Sequence, residues 1–209
     1  MGKWENEHEF SIQSHLNAPP AVLLRGINQL GLDHRFNKGT MRPNIQAALK
    51  TLNELPDSEN PSFPGRDRDQ LFEADYHHAG ASDCKDCDPD RTVRRLHRAV
   101  DHPVVHYGLI ASGNSVIRSA QLRDRLRDSW GVLCFEMEAA GLMNRFPCIV
   151  IRGVCDYSDS HKAKEWQPYA AVTAAAYAKD LLRVIGPGQV AKTELATGIL
   201  NEGTSPISP

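Results

Sequence analysis

The sequence predicts an α/β fold, in which short apolar strands alternate with amphipathic helices. Three observations support this class. The C-terminal half contains the apolar runs VVHYGLIAS, VLCF and CIVIRGV, each of strand length. A helical pattern separates the first two runs, and an alanine-rich helical segment follows the third. At 209 residues the chain is long enough for one compact domain, which we place at residues 1–185.

The N-terminal part predicts two amphipathic helices. The first follows the Pro19–Pro20 pair, where proline is tolerated at a helix start, and carries Leu23, Ile27 and Leu30 at helical spacing. The second spans residues 42–52 and repeats the same apolar period. Both helices are therefore expected to pack one face against the core.

Residues 56–103 are rich in Pro, Ser, Gly and charge, and they predict a long, loop-rich excursion. Within it, Cys84 and Cys87 form a lone CxxC pair, with His77 and His78 upstream. A structural zinc site needs four ligands at recognisable spacing, so we interpret the pair as part of a solvated loop and expect no metal. The arginines of RTVRRLHR could contact phosphates, but the nearby aspartates favour a solvated, self-neutralising face.

The C-terminal half predicts three strands with helices between them. In the helix after the first strand, Leu122 and Leu126 point inward, and Arg123 is among the charged residues that point outward. Residues 186–209 lack a sustained period, and we expect a loose tail there. The predicted strands are 104–112, 132–135 and 148–154, and the other helices are a short one from about Glu138 and a long one at 168–185.

The composition narrows the classes of function. A formal net charge of −2 gives no overall field that would favour nucleic acid or an anionic membrane. No apolar segment approaches the length of a membrane span, and the N-terminus lacks the apolar region of a signal peptide. Five cysteines, an odd number, do not suggest a disulfide scaffold. We therefore expect an intracellular, cytoplasmic protein.

Polar side chains follow each of the three predicted strands. The three groups are Ser112–Asn114, Glu136–Glu138 and Asp156–Ser158. Ligands of α/β sheets collect at the carboxyl ends of strands, so these groups are expected to converge on one site.

The residues around these strand ends resemble a known family. HYGLIASGNSVI, CFEMEAAGLM and VIRGVCDYSDSHKAKEWQ are similar to the C-terminal half of the nucleoside phosphorylase and nucleosidase family. That family includes purine and uridine phosphorylases and methylthioadenosine/S-adenosylhomocysteine nucleosidases. The similarity is dense from His106 to about Leu182. It is greatest to the fungal branch, often the N-terminal effector domain of multidomain immune-type receptors. The resemblance implies a partial nucleoside-phosphorylase-like mixed sheet flanked by helices.

The resemblance also reveals a departure from the family pattern. The chain corresponds to the family's domain from its middle onward, so the first strands, the glycine-rich phosphate loop and the acidic residue that activates water are expected to be missing. The sequence contains neither GxGxxG nor GxxxxGK. A sheet without its first strands would leave an unpaired edge and an apolar face. We therefore expect a homo-oligomer, or a partner that supplies the missing half-domain.

The two carboxylates of FEMEAAGL are unusual, because ionised groups in an apolar run are costly unless they are paired or used. The resemblance implies that Glu138 accepts hydrogen bonds from the ribose hydroxyls and that Met137 packs against the sugar. From the residues alone, Glu138 is equally well a first-turn helix residue favoured by the helix dipole. Glu136 is predicted to form an ion pair with Arg152, which also interrupts an apolar strand.

Asp156 is the candidate catalytic acid. The resemblance implies that it bonds to the purine N7 and protonates it as the glycosidic bond breaks, and its apolar neighbours would favour a protonated carboxyl by desolvation. The alternative is an aspartate that caps the turn after a strand. The same resemblance places Val116 against the base, and the backbone near Ile117 at the base edge, in the turn that begins at Asn114. There the alternative is a strand-to-helix turn with incidental apolar residues.

Two functions follow from these expectations. The first is cleavage of the N-glycosidic bond of a purine nucleoside or nucleotide by phosphorolysis or hydrolysis. The partner of the protein would then be this small molecule. No cofactor is expected, and phosphate is the one conceivable co-substrate. The second is a truncated, inactive module that binds a nucleoside or another protein.

Overall fold

The computed structural model describes residues 2–6, 9–12, 16–56, 60–78, 83–96, 98 and 101–190. At the N-terminus, β1 (Gly2–Asn6) and β2 (Glu9–Ile12) pair as an antiparallel hairpin that the sequence did not predict. At the other end, α6 (Pro187–Val190) is a single helical turn, and the rest of the predicted tail lies outside the described residues.

Three helices form one layer of the molecule. Both predicted N-terminal helices are present, as α1 (Ala21–Arg35) and α2 (Met41–Asn53), and both pack against the long helix α5 (Trp166–Val184). Leu30 is fully buried where α1 meets α5. The buried core of this layer consists of Leu30, Met41, Ile45, Tyr169, Val172, Ala176, Tyr177, Leu181 and Ile185.

A buried carboxylate joins the three helices of this layer. Asp180 of α5 is 0% exposed and accepts hydrogen bonds from the Thr40 N–H (2.8 Å), the Thr40 hydroxyl (2.7 Å) and the Met41 N–H (3.1 Å), at the start of α2. His34 Nε2 of α1 lies 2.9 Å away, and Arg183 Nε donates from 3.0 Å. Burial would raise the pKa of Asp180, but bonds from His34, Thr40 and Arg183 outweigh it and lower the pKa to about 2. The charged form therefore stabilises the folded chain.

A small parallel sheet forms the other part of the fold. β3 (Leu109–Ser112) pairs with β4 (Val132–Glu136), and α3 (Ala120–Trp130) connects them. Ser112 lies opposite Glu136 in the register, so two of the predicted polar strand ends are adjacent. Gly131 ends α3 with a φ of 65°, the left-handed conformation in which glycine is favoured. The chain thus has the mixed α/β fold that the sequence predicted.

Two of the predicted strands need correction. The first was expected to be buried over residues 104–112, but only Leu109–Ser112 is a strand, and Leu109 is 53% exposed. The predicted strand at 148–154 is wrong, because that segment has no regular secondary structure and no ladder partner among the described residues. It packs instead on α5 through Gly153, where a Cβ atom would lie 1.9 Å from the Ala170 carbonyl oxygen. The short helix α4 (Ala139–Leu142) precedes this segment.

The described part of residues 56–103 contains two short 3-10 turns, Arg66–Arg68 and Pro89–Arg91. An isolated antiparallel bridge joins Phe72 to Thr92. None of the helices in the described ranges is both long and apolar enough to cross a bilayer.

Candidate functional site

An open cleft lies where the polar strand ends converge. Its volume is about 550 Å³, counting space that is continuous with solvent. The walls come from the turn after β3, the end of β4, the segment that follows α4, and the loop that runs from Asp156 to Lys162. The lining residues are Ser115, Val116, Ile117, Cys134, Phe135, Glu136, Met137, Arg152, Gly153, Val154, Cys155, Asp156, Ser158 and Lys162.

Glu136 is the buried carboxylate of this cleft, with 4% of the residue exposed. Its Oε2 accepts hydrogen bonds from the backbone N–H groups of Glu138 and Ala139, each at 2.8 Å. Burial would raise the pKa of Glu136, but the neighbouring Ser112 hydroxyl and these N–H groups lower it overall. The other oxygen, Oε1, is buried and has no hydrogen-bond partner among the described residues. One acceptor atom therefore remains for a ligand donor.

The predicted Glu136–Arg152 ion pair is wrong. Arg152 Nη1 lies 3.0 Å from Oε2 of Glu138 instead. The reason is local: the Glu136 carboxylate turns inward to the N–H groups at the start of α4, which leaves the exposed Glu138 to meet the guanidinium. Glu138 thus lies beside the cleft, paired with an arginine, while Met137 forms part of the lining and is 45% exposed.

Asp156 lies in the cleft, partly buried and held by its own loop. Its Oδ1 accepts the Ser158 N–H at 2.8 Å, and its Oδ2 lies 3.0 Å from Nζ of Lys162. Ser158 has a φ of 54°, a left-handed conformation that is uncommon for a residue with a side chain. Sequence reasoning considered only apolar neighbours for Asp156 and missed Lys162, although DYSDSHK places it in the same loop.

The turn after β3 contributes the apolar wall. Val116 and Ile117 line the cleft, and Val116 is 56% exposed. Asn114 is exposed and lies outside the lining. The structure therefore brings Val116 and Ile117 together with Met137 and Asp156, and leaves Asn114 apart.

Helix α3 holds the loop that carries Asp156. Arg123 was expected to point outward, but its side chain is only 17% exposed. Its Nη1 donates to the Tyr157 carbonyl oxygen at 2.8 Å and lies 3.6 Å from the buried carboxylate of Asp159. An arginine in an apparently polar helix face thus serves as an internal anchor.

The loop-rich excursion also contacts this loop. The Tyr157 hydroxyl donates to Asp69 Oδ1 at 2.5 Å, and Arg95 pairs with Asp69 at 3.2 Å. Burial and the bond to Asp69 raise the pKa of Tyr157 to about 12. Arg91 pairs with Glu73 and Asp75, so these arginines meet carboxylates of the excursion other than the nearby aspartates that the sequence suggested. The expectation that the CxxC pair is solvated is wrong for Cys87, which is 8% exposed.

Comparison with known proteins identifies the family. The family described as "Phosphorylase superfamily" matches residues 56–185. The chain belongs to this superfamily. Membership confirms the predicted nucleoside-phosphorylase type, and the superfamily's association with nucleosides supports glycosidic chemistry at the family level. The matched range includes residues 56–103, the loop-rich excursion.

Two of the relatives are much longer than this chain. It is 44% identical over 187 residues to a "nucleotide-binding leucine-rich repeat (NLR)-like protein" of Hyaloscypha variabilis, an alignment that covers 90% of this chain and 18% of the relative. It is 34% identical over 86 residues to "ATP nucleosidase Cap17" of Escherichia coli, covering 38% of this chain and 17% of that protein. The chain thus spans less than a fifth of either relative. No solved structure matches it.

Proposed function

We propose that this chain takes part in cleaving the N-glycosidic bond of a purine nucleoside or nucleotide. The observation that carries the proposal is that the Asp156–Lys162 pair and the buried carboxylate of Glu136 line one open cleft. The reaction requires a proton source for the base at one side and a hydrogen-bond acceptor for the sugar hydroxyls at the other.

The leaving base needs a proton. When the bond between C1′ and the base nitrogen breaks, its electron pair moves into the purine ring, and protonation at N7 neutralises the developing charge. Asp156 is the residue that would bond to N7 and protonate it. The Lys162 ammonium, 3.0 Å from Oδ2, would give its proton to the Asp156 carboxylate and be left as a neutral amine. General acid catalysis of this kind contributes roughly 100-fold or more to a rate.

The sugar becomes electron-poor as the base leaves, and carboxylates beside it stabilise that charge. Glu136 offers the unpartnered Oε1, and Glu138 lies next to it, bonded to Arg152. Met137 separates the two carboxylates and is exposed enough to pack on a sugar face. We infer that ribose binding draws Glu138 away from Arg152, so that both carboxylates face the hydroxyls. Water or phosphate then completes the reaction at C1′.

The test is release of free base, measured by liquid chromatography. The purified chain is incubated with ATP, adenosine, inosine and methylthioadenosine, each with and without phosphate; ATP is included because one relative is named an ATP nucleosidase. Asp156→Asn should lose release by roughly 100-fold or more. The matched control is Asp128→Asn, an exposed aspartate of α3 that pairs with Arg127, and it should keep the full rate.

The alternative function is binding without cleavage. Calorimetric titration with the same four compounds distinguishes the two. Binding that Asp156→Asn weakens, without base release from any compound, would replace the enzyme proposal with a nucleoside-binding module. Neither binding nor release would leave the cleft without a nucleoside role.

A further inference from the structure

A group of metal-ligating side chains lies outside the cleft. One ring nitrogen of His78 and the sulfur atoms of Cys84 and Cys87 all lie within 4.8 Å of one another. Both cysteines are free thiols, Cys87 is buried, and the other two residues are half-buried. Separations of this size are close to those that a single tetrahedral ion would require, since zinc lies about 2.3 Å from sulfur and about 2.0 Å from nitrogen.

The backbone holds this group in place. The Cys87 N–H donates to the Cys84 carbonyl oxygen at 3.2 Å, a tight turn that brings the two thiols together. Just after the turn, the Asp88 N–H donates to the Tyr76 hydroxyl at 2.9 Å. His78 Nε2 lies 2.9 Å from the Asp83 carbonyl oxygen. A bond from an imidazole to a backbone carbonyl is the arrangement that fixes the orientation of histidine ligands.

His161 adds an independent observation. It is 5% exposed, and its Nε2 is buried without a hydrogen-bond partner among the described residues. Its ring stacks on Phe72 at 4.1 Å and meets the His78 ring edge-on at 5.3 Å between centroids. Two imidazoles that share a tetrahedral zinc have ring centres about 5 Å apart, because each nitrogen lies about 2.0 Å from the metal. A buried, unpartnered nitrogen on a ring that contacts His78 of this group is costly unless it binds something.

We propose that Cys84, Cys87, His78 and His161 bind one Zn²⁺ ion. Two thiolates and two imidazoles bind zinc in preference to magnesium or calcium. The negative charges of the two sulfurs balance the charge of the ion. The ligand set is complete without water, so the site is structural. This proposal differs from the sequence prediction of no metal. The spacing did not indicate a fourth ligand, because His161 lies far along the chain from the CxxC pair.

The zinc would join two separate segments. Cys84 and Cys87 belong to the loop-rich excursion, and His161 belongs to the loop that carries Asp156. A bond beside the site already links the same segments, since the His78 N–H donates to Ser160 Oγ at 3.0 Å. Zinc would therefore position the Asp156 loop from a distance, and it takes no part in the reaction.

The first test uses the unaltered chain, purified under reducing conditions. Mass spectrometry of the metal content should give about one zinc per chain, as a closed four-ligand site predicts. After removal by a chelator, Co²⁺ should restore stoichiometric binding, with the tetrahedral visible bands and the near-ultraviolet thiolate charge-transfer band that two sulfur ligands produce. A reduced chain that binds neither zinc nor cobalt would overturn the proposal.

Variants then identify the ligands. Cys84→Ser, Cys87→Ser, His78→Gln and His161→Gln should each weaken zinc affinity by at least roughly tenfold in competition with a chromophoric chelator. Cys148→Ser and His102→Gln, half-buried residues outside the group, are the matched controls and should not. Full affinity in both Cys84→Ser and Cys87→Ser would refute the site. The cobalt spectrum of the unaltered chain counts thiolates even if a variant fails to fold. Metal content is independent of base release, so this result stands apart from the proposed reaction.

Discussion

Nζ of Lys162 lies 3.0 Å from Oδ2 of Asp156, and both groups line the same cleft. The two side chains are only partly exposed, at 26% and 19%. A bond between an ammonium and a carboxylate at this distance, with both side chains partly buried, holds the carboxylate in one position. The behaviour of Asp156 in any reaction therefore depends on Lys162.

Replacing Lys162 with methionine tests this dependence. Lys162→Met should lower kcat for base release by about tenfold or more, because the pair loses its ammonium proton source. Its KM should stay nearly unchanged, which loss of the folded cleft would not allow. The matched control is Lys164→Met, an exposed lysine of the same loop, which should keep both kcat and KM. An unchanged kcat in Lys162→Met would contradict the dependence.

Glu136 and Glu138 should differ sharply in their effect on stability. Glu136→Gln should lower the free energy of unfolding by about 1–3 kcal/mol, since a buried acceptor of two backbone N–H groups loses its charge and gains an unmatched donor. Glu138→Gln is the control, because its side chain is 64% exposed and its surface ion pair should contribute little. Urea unfolding of both variants decides the matter. Equal losses would mean that Glu136 is not the structural carboxylate.

Asp180 predicts a loss of stability in acid. Its pKa is about 2 in the folded chain against an ordinary value of 3.8, so its contribution is present above pH 3.8 and disappears as the pH falls towards 2. The shift corresponds to about 2 kcal/mol of unfolding free energy. Asp180→Asn should lose at least that amount at neutral pH and flatten the acid limb of the stability curve. Asp128→Asn changes an exposed aspartate and should show the same loss of stability in acid as the unaltered chain. The same loss in Asp180→Asn would contradict the role given to Asp180.

Gly153 should tolerate no side chain. A methyl group there would lie 1.9 Å from the Ala170 carbonyl oxygen, so Gly153→Ala must push the cleft segment away from α5. We expect a loss of about 1–3 kcal/mol in unfolding free energy, as for other overpacked sites. Gly141→Ala is the control, since nothing lies within 4 Å of its added methyl group and its position is helical. A thermal denaturation scan compares the two, and equal midpoints would contradict the close approach.

Helices were the most predictable part of the fold, because their apolar spacing is a local property. α1 starts directly after the Pro19–Pro20 pair, and α2 extends the predicted range 42–52 by one residue at each end. The apolar run at 148–154 was misleading, because apolar content reports burial but not ladder pairing. The segment is only partly buried, and its contact with α5 depends on Gly153, whose neighbour Ala170 lies elsewhere in the chain.

The sequence indicated which polar residues lie near one another, but not how they pair. The polar ends of β3 and β4 are adjacent because the two strands pair in parallel, whereas Asp156 follows a segment without a ladder partner among the described residues. The partner of Arg152 was not predictable, since it depends on which glutamate turns towards the N–H groups of α4. Lys162 and Arg123 were missed for a similar reason: their contacts arise from the loop's conformation, which no periodicity encodes.

The segment 148–155 affects how tightly a ligand can bind in the cleft. It carries Arg152 and leads into Asp156, yet its backbone has no ladder hydrogen bonds with the described residues. Amides in such a segment open with little free energy, and hydrogen exchange there should be fast compared with β3 and β4. A ligand that orders this backbone as it binds would offset part of its interaction energy with that ordering. Another contact that orders residues 148–155 would therefore increase ligand affinity without contacting the ligand.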